Sequence, residues 1–175
     1  AAGRNLRSSD LEGSLGQSEN AEWKTVLIDD KSGEMVVPNG TIGSRWDKSA
    51  KWNLEEKNVA DGSDIEPKLS LVDGHDEVAS VGFPYFANQK HDQEIFSHTD
   101  HDSILMRNVP AKKITLADGS TCLVATVFDL QMANYGVDQG LGGDNVASSF
   151  DDDVPYTPAW QEKITKVDKE QVIRI

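Results

Sequence analysis

The sequence predicts an α+β fold: an antiparallel, hairpin-rich sheet with a few flanking helices. Three observations carry it. Apolar and polar residues alternate with period two in several short runs, as in "KLSLVDG". Those runs are joined by Asp, Gly and Asn turns, clearest at Asp118-Gly119 inside "KKITLADGSTCLVATVFD". Helix starts then follow at Thr126 and at Thr157 before Pro158.

Taken in order, residues 1–17 carry Leu6, Leu11 and Leu15 behind Ser9, a suitable N-cap, and predict a short helix ending near Gly16. "TVLI" and "EMVV" flank Asp29 to Gly33, a loop suited to a hairpin with glycine at positive φ. Pro38, Asn39, Gly40 and Gly43 break that ladder, and Trp46 and Trp52 follow, large rings expected to seal a core edge. "KLSLVDG" and "EVASVGFPYF" read as two further strands, and 87–102 as a polar surface loop. The strands around Asp118-Gly119 come next, the second apolar on both faces and so expected to lie deep, with Cys122 buried and inert. The sheet is thus assigned to 25–37, 68–72, 78–81 and 113–125, with helices near 127–135, closed by Gly136, and 158–164. A last capping box at Asp168 and Gln171, with Val167 stapled to Val172, opens a helix of under two turns, which is marginal without packing. The expectation is an excised piece of a longer polypeptide. It divides into a short helix and linker at 1–20, a β-rich core at 21–126, and helices with a glycine and acidic loop at 127–175.

Composition narrows the function. Thirty acidic against 17 basic residues give a net charge of -13, which repels phosphate backbones, so no nucleic-acid partner is expected. No apolar run approaches the ~20 residues of a membrane span, and neither a spanning helix nor a signal leader is expected in this segment. One cysteine supports neither an internal disulfide nor a cysteine-built metal cage.

Several residues carry candidate chemistry. His98, Asp100, His101 and Asp102, with His75 and His91 nearby, have donor types able to grip a divalent metal, although a solvated polar loop is the favoured reading. Asp151, Asp152 and Asp153 are read as a solvated acidic run rather than acid–base machinery. Gly136, Gly140, Gly142 and Gly143 follow a helix instead of preceding one, the reverse of a phosphate cradle, and are read as a flexible connection. Asn39-Gly40-Thr41 fits a glycosylation sequon but is explained by its turn role, and Arg45 beside Trp46 as a stacking contact.

The phrases "AEWKTV", "GEMVVPNGTIGSRW", "KWNLE", "VGFPYF", "LADGSTCLVATVFDLQMANYG" and "YTPAWQEKIT", in this order, add something more specific. Together they closely resemble an internal stretch of the alpha, catalytic subunit of membrane-associated respiratory nitrate reductase, in the molybdopterin oxidoreductase (dimethyl sulfoxide reductase) superfamily. The resemblance extends from Gly3 to Ile175. It implies a part of a larger α/β subunit that reduces nitrate to nitrite with quinol-derived electrons. That subunit carries a molybdenum bis-molybdopterin guanine dinucleotide and one [4Fe-4S] cluster. It also implies an iron–sulfur beta subunit and a membrane haem b gamma subunit as partners, on the cytoplasmic face of the bacterial inner membrane, without direct membrane contact by this segment. The family's cluster motif and its aspartate ligand to molybdenum lie upstream of the matched stretch. No catalytic residue is therefore carried over, and the segment is expected to be a scaffold that is inactive alone and binds no cofactor. The competing expectation is an independent binding module with a divalent metal in the 98–102 loop. Two departures stand out: no His pair matching that loop is part of the resemblance, and the family usually has glycine where Lys166 stands. A positive φ at Lys166 costs about 1 kcal/mol.

Overall fold

The computed structural model describes residues 3–39, 57–84 and 104–175. It contains two compact units, Ala1–Leu69 with Lys113–Val124, and Ser70–Lys112 with Ala125–Ile175. The α+β class holds: two small antiparallel sheets accompany a few short helices.

In the first unit, β1 (Leu27–Ile28) and β2 (Met35–Val36) form the hairpin expected around Gly33, whose φ is +73°. Asp29 fastens it. Its carboxylate accepts the Ser32 N–H at 3.0 Å, the Ser32 hydroxyl at 2.7 Å and, from far along the sequence, the Glu66 N–H at 2.9 Å. These bonds, the one from Glu66 foremost, lower the Asp29 pKa from its ordinary 3.8 to about 2. Val37, Leu11, Ile65 and Ile114 are buried here. Lys24 is buried too, and desolvation lowers its pKa.

The helix expected in 1–17 is replaced by two 3-10 turns, Ser8–Asp10 and Glu12–Gly16. Gly13, Ser14 and Leu15 all have left-handed dihedrals, which no α-helix admits. The first cap is Arg7 rather than Ser9: Asp10 accepts the Arg7 N–H at 2.8 Å while the Arg4 guanidinium grips the same carboxylate at 2.7 and 2.8 Å.

β3 (Glu77–Pro84), β4 (Ile104–Thr115) and β5 (Thr121–Val124) form the larger sheet, in that order. β3 and β4 are antiparallel, with Val81 opposite Arg107 and Ala79 opposite Val109. Here the expected assignment needs three corrections. Residues 68–72 form no strand, because their backbone is bonded elsewhere, as described below. β4 begins at Ile104, nine residues earlier than the alternation at Lys113 indicated. β5 is not deep: it is a four-residue edge strand with Leu123 exposed and Cys122 only half-buried.

α1 (Val127–Tyr135) lies where Thr126 and Gly136 placed it. The Thr126 hydroxyl accepts the Asp129 N–H at 3.0 Å, and Gly136 closes the helix at φ +71°. Its Ala133 packs with Phe83 and Val109, alongside Val81, Ala125 and Leu130, to make the core of the second unit. α2 (Pro158–Thr165) starts at a Thr157 cap, whose hydroxyl accepts the Trp160 N–H at 3.1 Å, and ends on Lys166 at φ +64°. α3 (Lys169–Ile173) follows a cap by Asp168, which accepts the Glu170 N–H at 2.7 Å. Trp46, Trp52 and Arg45 lie outside the described residues.

Candidate functional site

Two buried charged residues, one at each end of α1, dominate the second unit. Asp129, fully buried in the first turn, accepts the Ser70 hydroxyl at 2.6 Å, the Leu71 N–H at 2.8 Å, the Thr126 hydroxyl at 2.8 Å and the Gln139 amide at 3.0 Å. It thereby draws residues 70–71 and 139 onto the helix start. The Oε1 of Gln139 is buried without a hydrogen-bond partner.

At the other end, Arg107 of β4 is 1% exposed. Its guanidinium donates to the carbonyls of Ala133 at 2.8 Å, Asn134 at 2.7 Å, Asp144 at 2.9 Å and Asn145 at 3.3 Å. A helix leaves its last carbonyls without internal partners and carries partial negative charge there, so a guanidinium satisfies both needs. The carboxylate at the N-terminal end matches the opposite pole. Sequence reading placed Asp129 only as a neighbour of the Thr126 cap and missed Arg107. The available signal was an arginine inside the largely apolar run "ILMRNVPA".

The glycine-rich loop is not a slack connection. Asp144 N–H donates to the Met106 carbonyl at 2.8 Å, Asn108 N–H to the Gly142 carbonyl at 3.3 Å, and the Asn108 amide to the Leu141 carbonyl at 2.8 Å, so the loop runs antiparallel to β4 through Arg107 and Gly143. Glycine is required where it touches the arginine. A Cβ on Gly136 would meet the Arg107 Nη2 at 2.8 Å, and one on Gly143, at φ +132°, the Arg107 Cα at 2.8 Å.

The acidic run is similarly occupied. Asp151 pairs with Lys169, Asp153 with Lys163, and Asp152 accepts the N–H groups of Ser148 at 2.8 Å and Ser149 at 3.0 Å. Contact with Asp151 raises the Lys169 pKa. The two ion pairs are exposed and worth at most about 1 kcal/mol each.

His98, Asp100, His101 and Asp102, with His91, lie outside the described residues. His75 is described, and its Nδ1 lies 2.9 Å from the Val72 carbonyl. Among the described residues no group of three or more His, Cys, Asp or Glu side chains is placed to hold a metal ion. The single, half-buried cysteine cannot furnish the ligand set of a [4Fe-4S] cluster, and the buried Asp129 spends its oxygens on donors of this chain. No chemical step is assigned to Cys122 or Asp129. No helix among the described residues is long and apolar enough to cross a membrane.

No protein-family model matches the chain. Curated proteins do. The chain is 50% identical over 175 residues to the respiratory nitrate reductase 1 alpha chain of Escherichia coli (strain K12), covering 100% of this chain and 14% of that protein. It is 40% identical over 174 residues to the nitrate reductase alpha chain of Bacillus subtilis (strain 168), covering 99% and 13%. It is 40% identical over 169 residues to the respiratory nitrate reductase alpha chain of Bradyrhizobium sp, covering 97% and 14%. The chain thus spans about one-seventh of the length of these relatives.

Proposed function

We propose a role that starts from homology: this chain, homologous over its whole length to a stretch of nitrate reductase alpha chains, is a non-catalytic scaffold segment of such a subunit. The whole subunit reduces nitrate to nitrite at a molybdenum bis-pterin centre, with electrons that reach it through an iron–sulfur beta subunit and a haem-bearing gamma subunit at the membrane. The metal ligands and the cluster ligands come from other parts of the polypeptide.

One observation carries the scaffold reading. Both buried charged side chains at the ends of α1 direct the hydrogen bonds described for them at this chain's own backbone and side chains, which suits a rigid block rather than a reactive surface. Catalysis at a metal needs a pocket preorganised by its surroundings, and a block of this kind supplies rigidity without reacting.

The test is Arg107→Met in the full-length alpha chain. It should lower the molybdenum content and the nitrate reduction of the purified enzyme together, leaving activity per bound molybdenum unchanged. Full molybdenum occupancy with lost activity would place Arg107 in the chemistry and refute the scaffold role. So would nitrate turnover by the 175-residue chain, supplied with cofactor and reduced viologen, above a protein-free control.

A further inference from the structure

An aspartate followed by glycine is prone to close a five-membered ring, because glycine has no side chain to hinder its nitrogen from reaching the preceding carboxyl. The chain has three such pairs, Asp61-Gly62, Asp73-Gly74 and Asp118-Gly119. Two of them are locked. Asp61 Oδ1 accepts the Ser63 N–H at 2.9 Å and the Ser63 hydroxyl at 2.7 Å, while the Gly62 N–H donates to the Asn58 carbonyl at 2.8 Å. Asp118 Oδ1 likewise accepts the Ser120 N–H at 2.9 Å and its hydroxyl at 2.6 Å, while the Gly119 N–H donates to the Leu116 carbonyl at 2.9 Å. In both turns the serine bonds lower the pKa of the carboxyl, which depletes the neutral acid from which the ring forms.

The third pair is open. Among the described residues no hydrogen bond or ion pair holds the Asp73 carboxylate or the Gly74 N–H, and both residues are exposed. A Cβ on Gly74, at φ +104°, would meet nothing within 4 Å, so the turn has room for a ring. His75 stands where the other two turns carry serine, and its Nδ1 lies 2.9 Å from the Val72 carbonyl rather than on the carboxylate. We infer that Asp73-Gly74 is a site of spontaneous backbone isomerisation in the folded protein, through a succinimide, to isoaspartate. The Gly74 nitrogen attacks the Asp73 Cγ, the new N–Cγ bond forms, and the Cγ–OH bond breaks as the hydroxyl leaves with the amide proton as water. A second water opens the ring. Attack at Cγ restores aspartate, whereas attack at the main-chain carbonyl carbon breaks its bond to nitrogen, routes the chain through the side chain and frees the α-carboxylate. The reaction takes up no electrons and needs no partner but water. Both ends of the turn are held independently of it, the Leu71 N–H by Asp129 and the Asp76 N–H by the Ala111 carbonyl at 2.9 Å. The added main-chain methylene therefore enters a stretch that is anchored on either side, and the fold need not open for the reaction to proceed. This inference does not depend on the scaffold reading.

The test needs no substitution. The full-length alpha chain, within its assembled enzyme, is held in warm neutral buffer made with heavy-oxygen water and sampled over weeks. Its peptides are then read by mass spectrometry with electron-transfer fragmentation, which tells isoaspartate from aspartate. Isoaspartate carrying labelled oxygen should accumulate at Asp73 at least about fivefold faster than at Asp61 or Asp118, whose turns must first break their hydrogen bonds. The same protein in concentrated guanidinium should lose that preference, because the three turns are then equally free. Asn39-Gly40, which reaches past the described residues, is told apart by the mass gained on deamidation. Equal rates at the three pairs in the folded enzyme overturn the inference, as does an absence of isoaspartate at Asp73. Unlabelled isoaspartate overturns the route through the ring. A preference for Asp73 that persists in guanidinium also overturns it, because neighbouring sequence rather than the open turn would then set the rate.

Discussion

Replacing Asp129 separates the value of a carboxylate from that of its shape. In Asp129→Ala, four donors lose their acceptor. The Ser70 and Thr126 hydroxyls can rotate to other partners, but the Leu71 N–H is fixed by the backbone, in a residue 2% exposed, and the Gln139 amide is held beside it. Each buried donor left unmade costs about 1–3 kcal/mol, so two of them set a loss of about 4 kcal/mol. Asp129→Asn behaves differently. Its amide nitrogen can take the Oδ1 position, donating to the Ser70 oxygen, while Gln139 turns its amide over and presents Oε1, the atom now lacking a partner. The retained oxygen still accepts from Leu71 and Thr126, and the cost falls to about 1 kcal/mol or less. Urea unfolding gives the two stabilities, and hydrogen exchange at the Leu71 amide reports the site itself: protection is lost in the alanine variant and kept in the asparagine variant. Equal destabilisation by the two substitutions, or a loss below about 1.5 kcal/mol for alanine, would refute the reasoning.

Three further outcomes are expected. Lys166→Gly relieves the left-handed backbone at φ +64° and raises stability by about 0.5–1 kcal/mol in urea unfolding. Gly143→Ala drives a methyl group into the backbone of β4, 2.8 Å from the Arg107 Cα, and lowers stability by about 2 kcal/mol or more by the same measurement. The third concerns acid. The Asp29 pKa is near 2 when folded against an ordinary 3.8, so the unfolded chain binds the proton first. The contribution of Asp29 is then complete above about pH 5 and lost as pH falls through 3.8 towards 2. Asp29→Asn should flatten the stability profile in that window, read by circular dichroism across an acid titration, with no change in its slope above pH 5.

Local signals were readable where local chemistry decides. The Thr126 hydroxyl and Gly136 bound α1 by themselves, and Asp29 to Gly33 dictate the first hairpin. The glycine that the resemblance implies at the Lys166 position agrees with the left-handed backbone found there. What escaped depends on partners distant in sequence. The alternation of "KLSLVDG" suits a strand, yet the Leu71 N–H that a ladder would use goes to Asp129, 58 residues away. Arg107 and Pro110 interrupt the apolar rhythm of β4 and hid its first half, because the arginine's place in the core is set by carbonyls 26 and 27 residues downstream. The glycine-rich loop looked slack for the same reason: the edge it pairs with cannot be read from the loop itself.

That pairing bears on how the chain behaves at high concentration. A strand with an open side is a template on which a second molecule can grow a sheet. Met106 and Asn108 direct backbone groups away from β3, and the 142–144 stretch already takes both those of Met106 and the Asn108 N–H. Pro110, next in that alternation, has no N–H to offer there. From Met106 to Pro110, recruitment of a foreign strand onto this side of β4 is therefore blocked twice, by a bonded loop and by a missing donor. Loosening the loop would remove only the first block, so fibre growth would gain a foothold of at most a few residues before it met the proline.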